Sequence, residues 1–181
     1  ARRLQIPVHI SHLKAMGRRN WGEKIPRAIA LMDRAREEGL EVSCDVYPYT
    51  AGSTQLIHIL PPDFLTGGTA AITQRLKDPA RRRELAERIQ KGRDFDNIAG
   101  MVGWDNILCS PLSQPENRPF QGMSVADIAR EQGKDPFTCV CDLLVSEACA
   151  ITMIDFITDE ADIEKILRLP YSAVISDSTY P

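Results

Sequence analysis

The chain has 181 residues, enough for one domain with a real core, and its 43% hydrophobic and 26% charged residues are the balance of a soluble globular protein. A net charge of −3, from 25 acidic residues against 22 Lys and Arg, excludes recruitment of the chain as a whole to nucleic acid or anionic lipid. No apolar run approaches the roughly 20 residues that span a bilayer, and no apolar signal segment follows Arg2 and Arg3, so a cytoplasmic protein without membrane partners is expected.

The first element is a short β-branched, apolar strand over 6–11. After a loop with Gly17, Asn20 and Gly22, a helix is predicted over 23–38, with Pro26 in its first turn and Gly39 as its stop. Ile25, Ala28, Ile29, Met32 and Ala35 share one face of that helix. Residues 40–50 return to strand and end in Tyr47-Pro48-Tyr49 and a turn at 51–54. Strand, helix, strand, with a helix long enough to cross over, points to a parallel pair.

The middle breaks this rhythm. Pro61-Pro62 and Gly67-Gly68 lead into a charged helical run over 70–91 whose Arg81-Arg82-Arg83, followed by Glu84 and Glu87, reads as a solvated face. A strand-like Ile107-Leu108-Cys109 follows, then a loop bearing Pro and Asn. Ser124 and Asp127 start a helix in capping-box manner, Asp135-Pro136 start another, and an apolar strand spans 150–157. A helix over 158–169 and a strand over 172–176 ending in Asp177 close the sequence.

The expected domain organisation is a barrel strand–helix–strand segment over 1–64, an insertion or lid over 65–122, and later barrel helices and strands over 123–181. There is no initiator Met, and both ends fall beside core elements, so a piece of a longer protein is expected. Five cysteines, an odd number, argue against a disulfide framework. Cys139 and Cys141 face different directions on a helix and read as buried free thiols.

Polar residues gather at the C-terminal ends of strands, where parallel α/β barrels place their chemistry. Ser11, His12 and Lys14 end the first, Asp45 and Tyr47 the second, and Asp177 the last. His12 and Asp177 are the ligand types of a hydrolytic metal centre, although such residues also serve as hydrogen-bonded structural groups.

The stretch His9-Ile10-Ser11-His12-Leu13-Lys14 with Asn20-Trp21-Gly22 resembles the "ISH-x-K … NWG" segment of the N-acyl-D-amino-acid deacylases. Asp45-Val46-Tyr47-Pro48-Tyr49-Thr50-Ala51-Gly52-Ser53-Thr54 resembles that family's "D-x-[YH]-P-Y-x-A-G-S-T". Gly133-Lys134-Asp135-Pro136 and Val174-Ile175-Ser176-Asp177 resemble its "ERGKDP" and its strand ending "GSD", in family order.

The resemblance implies an α/β fold, a partial (β/α)8 TIM-like metal-dependent hydrolase barrel with a largely helical insertion, matching the C-terminal half of the family's barrel. It implies cleavage of N-acyl-D-amino acids to a carboxylate and a D-amino acid by a zinc enzyme. His12 then takes the place of a metal-ligand histidine and Asp177 that of the catalytic carboxylate. Lys14, Tyr47 and Ser53 are the candidates for substrate contact, Lys14 for a substrate carboxylate or else as a loop lysine in solvent.

The family's His-x-His and cysteine ligand have no counterpart here, and Tyr47 stands where a second histidine is possible. A phenol with a pKa near ~10 is a poor zinc ligand. The zinc site of the isolated segment is therefore expected to be incomplete, its activity absent and its uncovered edges self-associating. A cyclic-amide hydrolase of the same superfamily, and a non-catalytic homologue that binds acyl-amino acids or a partner, are the alternatives.

Overall fold

The computed structural model describes residues 2–92 and 94–178. They form two compact units, one of residues 2–50 with 157–178 and the other of residues 51–92 with 94–156, taken in turn below.

The first unit is built on parallel strands β1 (Val8–Ile10), β2 (Val42–Val46) and β6 (Ser172–Val174), in the spatial order β1-β2-β6. Register pairs Val8 with Val42 and Ile10 with Cys44, while Cys44 pairs with Ser172 and Val46 with Val174. Helix α1 (Lys24–Glu37) crosses from β1 to β2, and α7 (Glu160–Leu167) precedes β6. This is the βαβ unit that the spacing predicts, since parallel neighbours need a crossover of about a dozen residues or more.

Strand alternation sorts the two faces. Val42, Cys44 and Val46 join Ile25 and Met32 of α1 and Ile163 and Ile166 of α7 in one buried cluster. Burying each large side chain stabilises by about 1.5–3 kcal/mol. The alternate residues of these strands, His9, Ser43 and Asp45, fall on the opposite face of the sheet. A core of this kind leaves the chemistry on one side.

The Asn20-Trp21-Gly22 motif has a structural task. Trp21 Nε1 donates to the Ile157 carbonyl (3.0 Å), and Gly22 N–H donates to Asp162 Oδ2 (2.8 Å), docking the loop before α1 onto the start of α7. Helix α7, expected over 158–169, is capped by Asp159, whose carboxylate accepts the Asp162 N–H (3.2 Å).

The second unit contains the antiparallel strands β3 (Gly52–Gln55), β4 (Ile107–Ser110) and β5 (Thr152–Asp155), in the order β3-β5-β4. Its helices are α2 (Gly68–Leu76), α3 (Pro79–Lys91), α4 (Ile98–Val102), α5 (Val125–Glu131) and α6 (Pro136–Ser146). The stretch 65–122 lies wholly within it.

Three readings change here. Residues 52–54 of the turn expected over 51–54 are in strand β3, because Gly52–Gln55 pair across to β5 between Thr152 and Asp155. The apolar strand expected over 150–157 is present as β5 but runs between two antiparallel neighbours, not in a parallel sheet. An apolar run signals burial, and its partners alone set direction. The helix expected over 70–91 is two helices, because Asp78-Pro79 breaks it: Asp78 accepts the Ala80 N–H (2.8 Å) and Pro79 takes the first helical position.

The cysteine reading holds in its geometry. Cys44, Cys109, Cys139, Cys141 and Cys149 are all free and buried. Burial pushes the Cys139 thiol up to about 11 and the Cys109 and Cys141 thiols up to about 12, so these thiols stay neutral at physiological pH.

Candidate functional site

The first unit gathers its polar side chains around Asp45. This carboxylate is buried near the end of β2, where its relative exposure is 7%. An isolated buried charge is costly, so it must be surrounded by donors. His9 Nε2 lies 2.7 Å from Asp45 Oδ2, and the Ser11 hydroxyl donates at 3.3 Å to Oδ1. The His12 N–H donates to Oδ1, and the Asp45 carbonyl accepts the Leu13 N–H (2.9 Å).

The His9 hydrogen bond is the main cause that holds the Asp45 carboxyl below the usual carboxylate range. The His12 amide and the Ser11 hydroxyl act in the same direction, and burial acts against them. With Asp45 ionised, His9 Nε2–H is the donor, and in the neutral ring Nδ1 accepts from the Ser43 hydroxyl at 2.8 Å.

Ser43, His9 and Asp45 thus stand in the hydrogen-bonded order of a hydrolytic triad. The surroundings of Ser43 do not fit acyl transfer. Its Cα is paired with His9 in the middle of the sheet, and the following amide, Cys44 N–H, donates to the Tyr171 carbonyl (3.1 Å). An oxyanion hole needs that N–H free. The three residues form a hydrogen-bond relay that supports Asp45.

His12 itself is exposed and adopts φ +39°, a left-handed conformation uncommon outside glycine. That turn ends β1 and carries the chain towards Lys14. Lys14 Nζ donates to the Tyr47 hydroxyl (2.8 Å) and lies 4.4 Å from the centre of its ring. Tyr47 is buried at 6% exposure, and its ring stacks on the more exposed Tyr49 with centroids 6.3 Å apart. His12, Lys14, Tyr47, Tyr49, Thr158 and Ile163 line a small cleft at this end of the sheet. The structure therefore places His12, Lys14 and Tyr47 beside one another.

Asp177 follows β6 and is exposed, with φ +51°. Because all three strands are parallel, its position and that of His12 lie at the same end of the sheet, on the two strands that flank β2. Strand spacing sets those two positions about 10 Å apart across the sheet. Among the described residues no hydrogen bond joins His12 to Asp177. Ser53, exposed on β3, belongs to the second unit.

A metal finds only part of a site here. Among the described residues no group of three His, Cys, Asp or Glu side chains converges, and a catalytic zinc takes three protein ligands. The exposed imidazole of His12 and the carboxylate of Asp177 are suitable donors. The Tyr47 phenol is engaged by Lys14 as an ammonium acceptor and is no ligand.

The sequence singled out Asp45 by its place at a strand end and held His9 within a motif, but assigned neither a task. The signal for their pairing was present. His9 and Asp45 each fall on the face opposite the core by strand alternation, and only the register, which sequence does not give, makes them neighbours.

No family model matches the chain. It is 36% identical over 132 residues to a D-aminoacylase of Alcaligenes xylosoxydans xylosoxydans, covering 71% of this chain and 24% of that protein. It is 45% identical over 56 residues to an N-acyl-D-glutamate deacylase of the same organism, covering 31% of this chain and 11% of the relative. The chain thus spans about a quarter of the first of these curated relatives.

The backbone is similar to the crystal structure of N-acyl-D-glutamate deacylase from Bordetella bronchiseptica complexed with zinc and a phosphonate mimic of the tetrahedral intermediate. The TM-score is 0.57 at 27% identity, over 94% of this chain and 26% of that one. A D-aminoacylase studied for the role of its binuclear metal centre gives a TM-score of 0.56 at 25% identity, over 96% of this chain and 26% of that chain. Sequence and backbone together show the chain to be a partial segment related to the D-aminoacylases, the N-acyl-D-amino-acid deacylase family.

Proposed function

We propose that this chain forms part of a metal-dependent amidohydrolase that cleaves N-acyl-D-amino acids to a carboxylate and a free D-amino acid. The observation that carries the reading is the grouping of His12, Lys14 and Tyr47 at the C-terminal ends of two hydrogen-bonded parallel strands. That end is where parallel α/β enzymes hold substrate.

In this reading His12 is one metal ligand and Asp177, at the same end of the sheet, the catalytic carboxylate, the remaining ligands coming from other parts of the whole protein. A zinc ion, when bound, supplies Lewis acidity at the scissile carbonyl. Lys14 and the Tyr47 hydroxyl take the substrate's α-carboxylate, the ammonium by charge and the phenol by a hydrogen bond. Asp177 accepts a proton from the attacking water and delivers it to the nitrogen as the C–N bond breaks.

The wider assignment is a partial (β/α)8 barrel with residues 65–122 as insertion or lid, in a cytoplasmic protein. Strands β1 and β6 are the two outer strands of their sheet, and Val174 on β6 is 65% exposed. Open edges and uncovered apolar residues favour self-association of the segment by itself.

The test is an assay of the whole protein against a panel of N-acyl-D-amino acids with their L-enantiomers as controls, together with its zinc content. Turnover of D-substrates by a zinc-loaded protein is expected. A zinc-free protein inert towards the whole panel would overturn the reading.

A further inference from the structure

We propose that Asp45 is a positioning residue that fixes the aim of His12, by holding the end of β1 in its left-handed turn. The inference rests on His12 being the metal ligand assigned above, and the test separates the two.

Four residues of one short segment are tied to Asp45. His9 and Ser11 reach its carboxylate through their side chains, His12 through its N–H, and Leu13 through its N–H to the Asp45 carbonyl. A non-glycine residue at positive φ persists only where its surroundings hold it, and His12 is at φ +39°. The donor on its backbone is the one that meets Asp45 Oδ1, so the carboxylate bonds the strained residue directly.

The reach of this arrangement extends beyond one amide. Ser43 supports His9, and His9 fixes the rotamer of Asp45, so the carboxylate cannot swing away from His12 without giving up its own hydrogen bonds. The turn at Ser11 and His12 also sets the direction in which Lys14 leaves the strand and meets Tyr47. An imidazole on an untethered strand end samples several directions; on this turn it has one backbone orientation.

The chemistry gives a discriminating pair of variants. In D45N, Oδ1 still accepts the His12 N–H and the Ser11 hydroxyl. Nδ2 donates to His9 Nε2 once that ring takes its other tautomer and donates from Nδ1 to Ser43. D45A removes every one of these side-chain bonds.

The experiment follows backbone hydrogen exchange at residues 12 and 13 in the intact protein, and binding of zinc alone, for the wild type, D45N, D45A and His12→Ala. In the wild type the His12 amide is protected. D45A raises its exchange roughly tenfold or more, the factor matching the lower end for a hydrogen bond to a charged group. D45A also weakens zinc binding about ten- to a hundredfold, and D45N stays close to wild type in both.

An unprotected His12 amide in the wild type, or unchanged exchange in D45A, overturns the proposal. So does zinc affinity that D45A leaves intact while His12→Ala removes it. If D45A loosens the turn and His12→Ala leaves zinc affinity whole, the ligand assignment falls while the hold of Asp45 on the turn stands. Should D45A fail to fold, D45N and the wild type decide, since His12 protection must be present in both.

Discussion

Replacing Lys14 with Ala tests the substrate contacts most directly, because the structure separates what Lys14 and Tyr47 each contribute. Lys14 Nζ makes one hydrogen bond to the Tyr47 hydroxyl and stands 4.4 Å from the ring centre, so it remains close to that aromatic face when the hydroxyl is gone. Lys14→Ala removes the positive charge that meets the substrate carboxylate, worth about 1.5–3 kcal/mol for a charge-assisted hydrogen bond. That is a factor of roughly 10 to 150 in affinity. Tyr47→Phe keeps the buried ring and the ammonium and loses one neutral donor, about 0.5–1.5 kcal/mol, or roughly two- to tenfold. Both losses are made equally in the ground and transition states, so they enter KM and leave kcat nearly unchanged. The assay is steady-state kinetics of the whole protein on an N-acyl-D-amino acid, with melting temperature as a control. Lys14 is only partly buried, and its loss should leave that temperature almost unmoved. An unaltered KM in Lys14→Ala, or a fall confined to kcat, would refute the carboxylate-binding reasoning.

In the second unit, Glu147 is buried and accepts from Ser113 N–H (2.9 Å), Gln114 N–H (3.0 Å) and Asn117 Nδ2 (2.7 Å), so Glu147→Ala should cost about 3 kcal/mol and lower Tm by roughly 6–12 °C. Burial raises the Glu147 pKa, but the Asn117 and backbone donors outweigh it and hold the carboxyl below its ordinary value. The sign follows from that depression: the stabilisation is complete above the unfolded pKa of about 4.3 and fades as pH falls through the folded value, and Glu147→Ala should lack this acid-dependent part of the Tm–pH profile. At the proposed catalytic end, His12→Ala should remove zinc with little change in Tm, whereas Asp177→Ala should keep zinc and lose about a hundred- to ten-thousandfold in kcat. Parallel losses of Tm in both, without a split between zinc content and rate, would mark the two residues as structural.

The parts of the fold legible in the sequence are those where local chemistry and tertiary context agree. Helix α1 was read within one residue at each end, because its apolar stripe, its early proline and Gly39 all point the same way. The caps Asp135 and Ser124 were equally plain, and each accepts the N–H three residues on. What failed was strand pairing. Gly52-Ser53-Thr54-Gln55 has the composition of a turn and is a strand because β5 offers it a ladder. β-Propensity is largely a report of neighbours, and a sequence does not name them.

The same limit shaped the site. His12, Lys14 and Tyr47 were picked out by their positions at strand ends, and parallel pairing of β1 with β2 was enough to bring them together. Asp45 and His9 were visible too, yet their relation depends on register. His9 lies opposite Ser43, and a shift of one residue along β2 would turn Ser43 and Asp45 towards the apolar cluster. Val42, Cys44 and Val46 prevent that shift, since it would expose them on the polar face. The apolar cluster is thus what keeps Asp45 within reach of His9 and the His12 amide: the packing of α1 and α7 on one side of β2 fixes the hydrogen bonds on the other.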